Sequence, residues 1–251
     1  MGEKLVIFGE TFINFLVNST LDGKINQVIL RQIDEGYEIN VMSETVINVC
    51  GLLHKKNFIM YSKLGDIVIK DVKRLIRLVK GMKGNISMEI IKNKLLINGE
   101  TNEIEYGLAS EEYVENNPKE KLPIEFDSGF IMDKNLLVEI KSKADLLKVG
   151  KCNVEVTNNI LRIMVEEVDK FIVKSEVAYG NVNGSFGLWL MDIAGFLEDK
   201  VNVSLQNDFP IRIISKNDTM IIKYIIAPIV KVDGKEKSES EDNKEEENKS
   251  G

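Results

Sequence analysis

The sequence contains few of the residues from which most catalytic and metal sites are built. It has one histidine, His54, and two cysteines, Cys50 and Cys152, in separate halves of the chain. A lone histidine with no cysteine nearby is a poor start for a metal site. Two thiols are too few for a disulfide framework and suit a reducing compartment. No glycine-rich phosphate-binding run and no nucleophile-elbow motif occurs. These absences favour a binding protein over an enzyme, with no cofactor and no metal.

Long apolar runs are also missing. None approaches the roughly 18–20 residues needed to cross a bilayer, so we expect no membrane partner. The first residues lack the basic start and apolar stretch of a secretory signal.

The chain has no excess of positive charge. Its formal net charge is −7, which taken alone argues against a nucleic-acid-binding protein. A total, however, says nothing about how charge is distributed over individual faces. Residues 234–251 hold seven acids against four lysines and no apolar residue, so we predict a disordered acidic tail there.

One order of elements occurs twice along the chain. The first half predicts helices at 11–20 and 69–80 and strands at 27–33, 37–42, 46–53, 58–61, 86–91, 95–98 and 103–109. The second predicts helices at 134–149 and 191–199 and strands at 124–132, 153–156, 160–165, 171–178, 185–190, 201–205, 211–214 and 220–226. Residues 110–123, with two prolines, read as a connector. We therefore predict an α+β protein with two tandem domains, 1–109 and 124–233.

The helix predicted at 69–80 combines an apolar stripe with a cationic face. The apolar positions recur at steps of three or four: Ile69, Val72, Leu75, Ile76 and Val79. Lysine and arginine recur in the same way on the other side: Lys70, Lys73, Arg74, Arg77 and Lys80. Like charges at this spacing repel by a few tenths of a kcal/mol per pair, so their presence suggests an anionic partner. A solvated helix face is the alternative.

The helix predicted at 134–149 carries a weaker cationic pattern. Lys134, Lys141 and Lys148 are seven residues apart and line up along one flank, while Glu139 and Asp145 dilute their field. Phosphate contact and an ordinary solvated surface are equally compatible with this pattern. The helix at 11–20 is neutral on its outer side, and the helix at 191–199 is acidic.

Several local runs resemble the PCNA sliding clamps of archaea and eukaryotes. They are residues 36–42 followed by 46–52, the basic helix at 71–80, the run DFPIRI at 208–213, and YIIAPIV at 224–230. No single run is specific, but their order, their spacing and the internal repeat together resemble the family over residues 4–232.

The resemblance implies a fold and a function. Three two-domain subunits would close into a ring, with antiparallel sheets outside and two helices per domain lining a channel. Duplex DNA would pass through the channel without its bases being read. An edge strand near 103–110 would pair with one near 171–178 of a neighbouring subunit. The protein would act as a DNA polymerase processivity factor in the prokaryotic cytoplasm, at the nucleoid, or in a eukaryotic nucleus. The implied DNA-binding residues are Lys70, Lys73, Arg74, Arg77, Lys80, Lys134, Lys141 and Lys148.

The resemblance also implies a docking pocket on the outer face, with 110–123 as its rim. DNA polymerase, clamp loader, ligase or flap nuclease would bind there through short apolar and aromatic peptide motifs. The implied pocket residues are Met42, Ile47, Val49, Pro210, Ile225, Ala227 and Pro228. Core packing is the alternative for these residues, and above all for Val49 and Ile225.

Some positions depart from the family pattern. Ser43 stands where the family usually has Asp, Ile229 stands where it has a basic residue, and the helix at 191–199 is not basic. A specialised subunit of a heterotrimeric clamp therefore remains an alternative. So do an unrelated α+β enzyme and a module whose basic helix binds an acidic protein.

Overall fold

The first half of the chain alternates strands with two helices. The structure is a computed structural model that describes residues 3–43, 46–114, 118, 126, 128–166, 170–176 and 181–229. Its first elements are β1 (Leu5–Phe8), α1 (Gly9–Thr20), β2 (Val28–Ile33), β3 (Gly36–Ser43), β4 (Ile47–His54), β5 (Phe58–Tyr61), β6 (Ile67–Ile69), α2 (Val72–Val79), β7 (Asn85–Ile91), β8 (Lys94–Asn98) and β9 (Glu103–Gly107).

The second half follows the same plan. Its elements are β10 (Ser128–Asp133), α3 (Lys134–Leu147), β11 (Lys151–Thr157), β12 (Ile160–Glu166), β13 (Lys170–Glu176), β14 (Val182–Gly187), α4 (Trp189–Asp192), β15 (Lys200–Leu205), β16 (Ile211–Lys216) and β17 (Met220–Ile226). A 3-10 turn, Ile193–Phe196, continues α4.

The sheets repeat as the elements do. The order β1-β7-β8-β9 in the first half matches β10-β15-β16-β17 in the second, and β4-β3-β2-β6 matches β13-β12-β11-β14. Hydrogen bonds between β17 and β4 join two of these blocks into one eight-stranded sheet. Every strand pair among the described residues is antiparallel. The predicted α+β class and its tandem repeat are confirmed.

The helices cover one face of the sheets because strand residues alternate between buried and outward positions. In β4 the side chains of Ile47, Val49 and Leu53 are almost completely buried, whereas Cys50 and Leu52 point outward and are only partly covered. Gly51 lies on the buried side of β4, where a Cβ atom would stand 2.5 Å from the Ser19 Oγ of α1. A residue without a side chain therefore lets α1 lie directly on the sheet.

The helices of the two halves form a continuous layer. The Tyr224 hydroxyl of β17 donates to the Asn18 carbonyl of α1 at 3.0 Å, so α1 crosses the junction between the halves. At the far end of α1, Lys24 Nζ lies 3.3 Å from Asp192 Oδ2 of α4 and 5.3 Å from the centre of the Trp189 ring. Helices α1 and α2 on one side and α3 and α4 on the other thus share one surface of the molecule.

Several predicted boundaries differ from the structure. The helix expected at 69–80 begins at Val72, because Ile67–Ile69 forms a strand that pairs with β2. The helix expected at 191–199 is shorter, with α4 and its 3-10 extension ending at Phe196. Strand β1 has no counterpart among the predicted elements. Residues 115–117 and 119–123 of the expected connector, and all of 234–251, lie outside the described residues. The domain boundaries stay a prediction.

Within the part of the chain that is described, no helix is both long enough and apolar enough to cross a membrane.

Candidate nucleic-acid and partner-binding surfaces

Helix α2 is held at its first turn by contacts with two other elements. Asp71 caps the helix, its Oδ1 accepting a hydrogen bond from the Arg74 amide at 2.9 Å. The Lys73 amide donates to Asn26 Oδ1 at 3.0 Å, and the Tyr106 hydroxyl of β9 donates to the Asp71 carbonyl at 2.9 Å. Because the beginning of the helix is fixed at three points, the direction of its outer face is fixed as well.

The outer face of α2 is strongly cationic. Its buried side consists of Val72, Leu75, Ile76 and Val79. Five cationic side chains of this region are exposed: Lys70, Lys73, Arg74, Arg77 and Lys80. None of them forms an ion pair with a described acid. Lys70 lies in the turn before the helix, and Lys80 follows its last residue. We call these five side chains the α2 cation patch.

Two lysines of α3, unlike the cations of the α2 cation patch, form ion pairs with described acids. Lys141 Nζ lies 2.6 Å from Asp192 Oδ1, and Lys134 Nζ lies 2.8 Å from Asp199 Oδ1. Lys148 is exposed and ends the helix in a left-handed conformation. Of the three lysines predicted to line up along one flank, two are therefore neutralised by ion pairs. The third, Lys148, is exposed and has no described partner.

The pKa values of the two acids reflect this pairing. Burial alone would raise the pKa of Asp192, but hydrogen bonds and charge from Lys141 and Lys24 outweigh it and hold that pKa below its ordinary value. The Lys134 ammonium likewise lowers the pKa of the exposed Asp199. Both acids are ionised at neutral pH, so they reduce the positive field of α3.

The outer face of the eight-stranded sheet carries the second candidate surface. The register places one residue from each of six neighbouring strands in a row across the junction: Gly129, Ser204, Arg212, Ile225, Asn48 and Met42. Met42 is partly exposed in this row, and Ile225 is 6% exposed. Ile47 and Val49 occupy the opposite side of β4 and are 1% and 0% exposed. In this conformation neither offers a surface to a peptide, because a one-residue difference in a strand reverses the face.

The remaining predicted pocket residues lie beside the middle of this row, where β16 begins and β17 ends. Pro210 precedes β16, and Ala227 and Pro228 follow β17; all three are partly exposed. The Ala227 amide donates to the Val46 carbonyl at 2.8 Å, which ties this end of the chain to the beginning of β4.

Polar side chains that the sequence did not single out form the floor between these positions. Asn48 Nδ2 donates to Asn40 Oδ1 at 3.0 Å, and the Cys50 Sγ lies 3.2 Å from the same oxygen. Asn40 Nδ2 donates in turn to the carbonyl of Pro118 in the connector at 2.9 Å. The alternation of the strand pattern separates the two faces of each strand, but only the sheet register brings these residues together.

Groups that could support catalysis are sparse. Within the described residues, no cluster of three or more histidine, cysteine or acidic side chains is suited to a metal ion. Burial raises the pKa of the Cys152 thiol to about 12, so it is protonated at neutral pH and a poor nucleophile. A surface depression of about 580 Å³ on β11 and β14 has five asparagines among its twelve lining residues.

Known proteins match this chain by their three-dimensional structure and not by their sequence. The sequence matches no protein-family profile and no curated protein sequence. Two solved structures each superpose with a TM-score of 0.79 at 15% identity: PCNA from Entamoeba histolytica, and A. fulgidus PCNA with the C-terminal region of FEN-1 bound. They cover 90% and 92% of this chain and 98% and 99% of their own.

A third match is a complex of two clamp proteins. The PCNA2–PCNA3 complex from Sulfolobus tokodaii superposes with a TM-score of 0.72 at 14% identity, covering 90% of this chain and 98% of that one. At this level of identity the likeness establishes the fold over nearly the whole chain. The chain therefore has the two-domain fold of the PCNA sliding clamps.

Proposed function

We propose that this protein is a non-enzymatic subunit of a ring-shaped sliding clamp, which encircles duplex DNA and tethers replication and repair enzymes to it. The observation that carries the proposal is the α2 cation patch, five exposed cations on the helical layer of a clamp fold whose net charge is −7. Phosphates attract such a patch without sequence preference, which permits sliding. Its place of action is the nucleoid of a prokaryotic cell or a eukaryotic nucleus.

The junction inside the chain supplies a template for closing the ring. Strands β17 and β4 correspond, through the repeat, to β9 and β13, and each of these last two pairs with one described neighbour only. An unpaired edge strand exposes hydrogen-bonding groups that invite another strand. In our proposal, β9 of one subunit pairs with β13 of the next, head to tail, until a trimer closes.

The same template gives the register of that pairing. Tyr224 lies opposite Val49 and Ile225 opposite Asn48 at the internal junction. Carrying these pairs through the repeat sets Ile104 opposite Phe171 and Glu105 opposite Lys170. Glu103 and Glu105 make β9 acidic, whereas Lys170 and Lys174 make β13 basic, so the two edges are complementary in charge. The S. tokodaii complex shows that proteins of this fold associate with one another.

A heterotrimer is the second form of this proposal. The paired lysines of α3 favour it, because the two halves of one subunit then differ in the charge that they would turn toward DNA. The mass of the isolated chain in solution separates the two forms. A homotrimer gives three times 28.4 kDa unaided, whereas a heteromeric subunit does not.

The outer face is the proposed docking site for partner enzymes such as a DNA polymerase, clamp loader, ligase or flap nuclease. In the A. fulgidus protein a C-terminal region of FEN-1 is the bound segment. Here Met42, Ile225 and the cluster Pro210, Ala227 and Pro228 would contact a peptide. Ile47 and Val49 would contribute by holding β4 in place from its buried side.

The experiment that tests DNA binding replaces Lys73, Arg74 and Arg77 together with alanine. Affinity for a fluorescent duplex, measured by anisotropy at several salt concentrations, should fall at least tenfold at low salt. The dependence on salt should also become less steep, since fewer counterions are released. The control replaces the exposed Lys55, Lys56 and Lys63, which removes the same charge elsewhere in the first half. Equal losses for both triple variants would contradict the assignment of α2.

A further inference from the structure

Arg212 stands in the middle of the outer-face row. It lies on β16 between Ser204 of β15 and Ile225 of β17, and Ile225 is in turn opposite Asn48. Neighbouring strands are spaced about 4.8 Å apart, so Arg212 is about 14 Å from Met42 along the row. A short extended peptide spans that distance with four or five residues, which places Arg212 within the reach of any peptide that also contacts Met42.

The guanidinium group of Arg212 is positioned by two side chains and is not paired with any described acid. Its Nη2 donates to Ser204 Oγ at 2.9 Å, and the Phe126 ring lies 4.4 Å from its Cζ. Its Nε is buried and has no hydrogen-bond partner. No described acid forms an ion pair with it. The serine and the ring fix the plane of the group, and none of the acids that the structure describes neutralises its charge.

The surroundings of Arg212 on this face are also positive. The next row of outward residues contains Lys223, and Lys216 lies further along β16 on the same side. Among the described acids, Asp208 lies in the turn before β16, and Asp133 of β10 and Glu38 of β3 lie two rows from the row of Arg212. In the row next to Arg212 the described outward residues therefore include a cation and no acid.

We propose that the partner peptide docking on the outer face carries a carboxylate, Asp or Glu, which Arg212 binds, in addition to its apolar anchors. This inference rests on the docking role proposed above and specifies the chemistry of the partner. A planar guanidinium matches a carboxylate in geometry and can bind it through two parallel hydrogen bonds. The apolar contacts at Met42 and Ile225 position the peptide, and the carboxylate selects it among peptides with similar anchors.

The test uses a fluorescent peptide series based on the C-terminal region of FEN-1, the segment bound in the A. fulgidus structure. Each non-anchor position carries Glu in one peptide and Gln in its counterpart. Anisotropy titrations compare the wild-type protein with Arg212→Gln. At one or two positions the Glu peptide should bind wild type about tenfold more tightly than the Gln peptide, the size expected for a hydrogen bond to a charged group. Arg212→Gln should remove that difference and leave the Gln peptide unaffected.

Lys216→Gln is the matched control, because Lys216 is an exposed cation on the same strand and the same face. It should leave the Glu-to-Gln ratio unchanged. Equal binding of Glu and Gln peptides at every position, or a ratio that survives in Arg212→Gln, overturns this inference alone. A wild-type protein that binds none of the peptides overturns the docking role itself, and this inference with it. If Arg212→Gln weakened binding of the Gln peptide as much as that of the Glu peptide, Arg212 would support the apolar contacts and would not select a carboxylate, which also overturns the inference.

Discussion

Two acidic side chains set the charge that the second half presents on the helical layer. Asp192 holds both Lys141 and Lys24, and Asp199 holds Lys134. The two ion pairs of Asp192 are half-exposed, so each contributes at most about 1 kcal/mol to folding. Their larger effect is electrostatic, since each pair removes a cation from the surface on which we place DNA.

Replacing Asp192 with Asn should release two cations at once. We expect duplex affinity at low salt to rise several-fold and its dependence on salt to steepen, because additional ammonium groups then reach phosphate. Anisotropy titration over a range of salt concentrations measures both. Glu35→Gln, which removes one exposed acid from a hairpin turn, is the control for the change in net charge. If Asp192→Asn binds no better than Glu35→Gln, the paired lysines do not face the DNA.

At the scale of residues, the sequence pattern predicts which positions carry cations, but it does not predict which of those cations are paired with acids. The repeat of lysine and arginine predicted the outer face of α2, since helical spacing is local. The pairing of Lys141 with Asp192 spans more than a third of the second half and depends on how α4 packs beside α3. Likewise, alternation separates the two faces of β4 without saying which face is buried. The structure assigns Asn48, not Val49, to the outer face.

At the scale of elements, the contact of α1 with the sheet depends on a glycine. Gly51 of β4 leaves no room for a Cβ, which would stand 2.5 Å from Ser19 Oγ and 3.1 Å from the Phe15 ring. Changing Gly51 to Ala should lower the free energy of unfolding by about 1–3 kcal/mol, the usual cost of overpacking. Chemical denaturation measures this. Gly187→Ala, in β14 where a Cβ meets nothing within 4 Å, should have little effect, and equal losses would contradict the close approach.

The elements themselves were largely predictable. Period-two alternation located most strands to within a few residues because each strand buries one face. The apolar spacing predicts a start for α2 that is too early, because Ile69 continues the apolar stripe of the helix yet belongs to β6. Asp71 is the local signal for the true start of α2. Its side chain accepts a hydrogen bond from the amide three residues later, Arg74, and so caps the helix.

At the scale of the whole molecule, the repeat connects the internal junction with the proposed subunit interface. If the register carries over, Glu105 meets Lys170 of the neighbouring subunit. Glu105→Lys should weaken assembly because it sets two cations opposite each other, and Glu105→Lys with Lys170→Glu should restore it. Sedimentation velocity over a dilution series reports the effect. Glu35→Lys, on the β2–β3 turn, is the charge-matched control. Failure of the double variant to recover would contradict this register.

The most direct measurement for a ring around DNA is retention on circular against linear duplex. The protein is incubated with linear plasmid, whose free ends a closed ring can pass over, and the plasmid is ligated into a circle. The circle is washed in high salt to remove molecules held by charge alone and is then cut once. Encirclement predicts that protein stays bound through the wash and is released by the single cut, because only a closed path holds it. Protein that is lost in the wash, or that remains after linearisation, would contradict the sliding-clamp function.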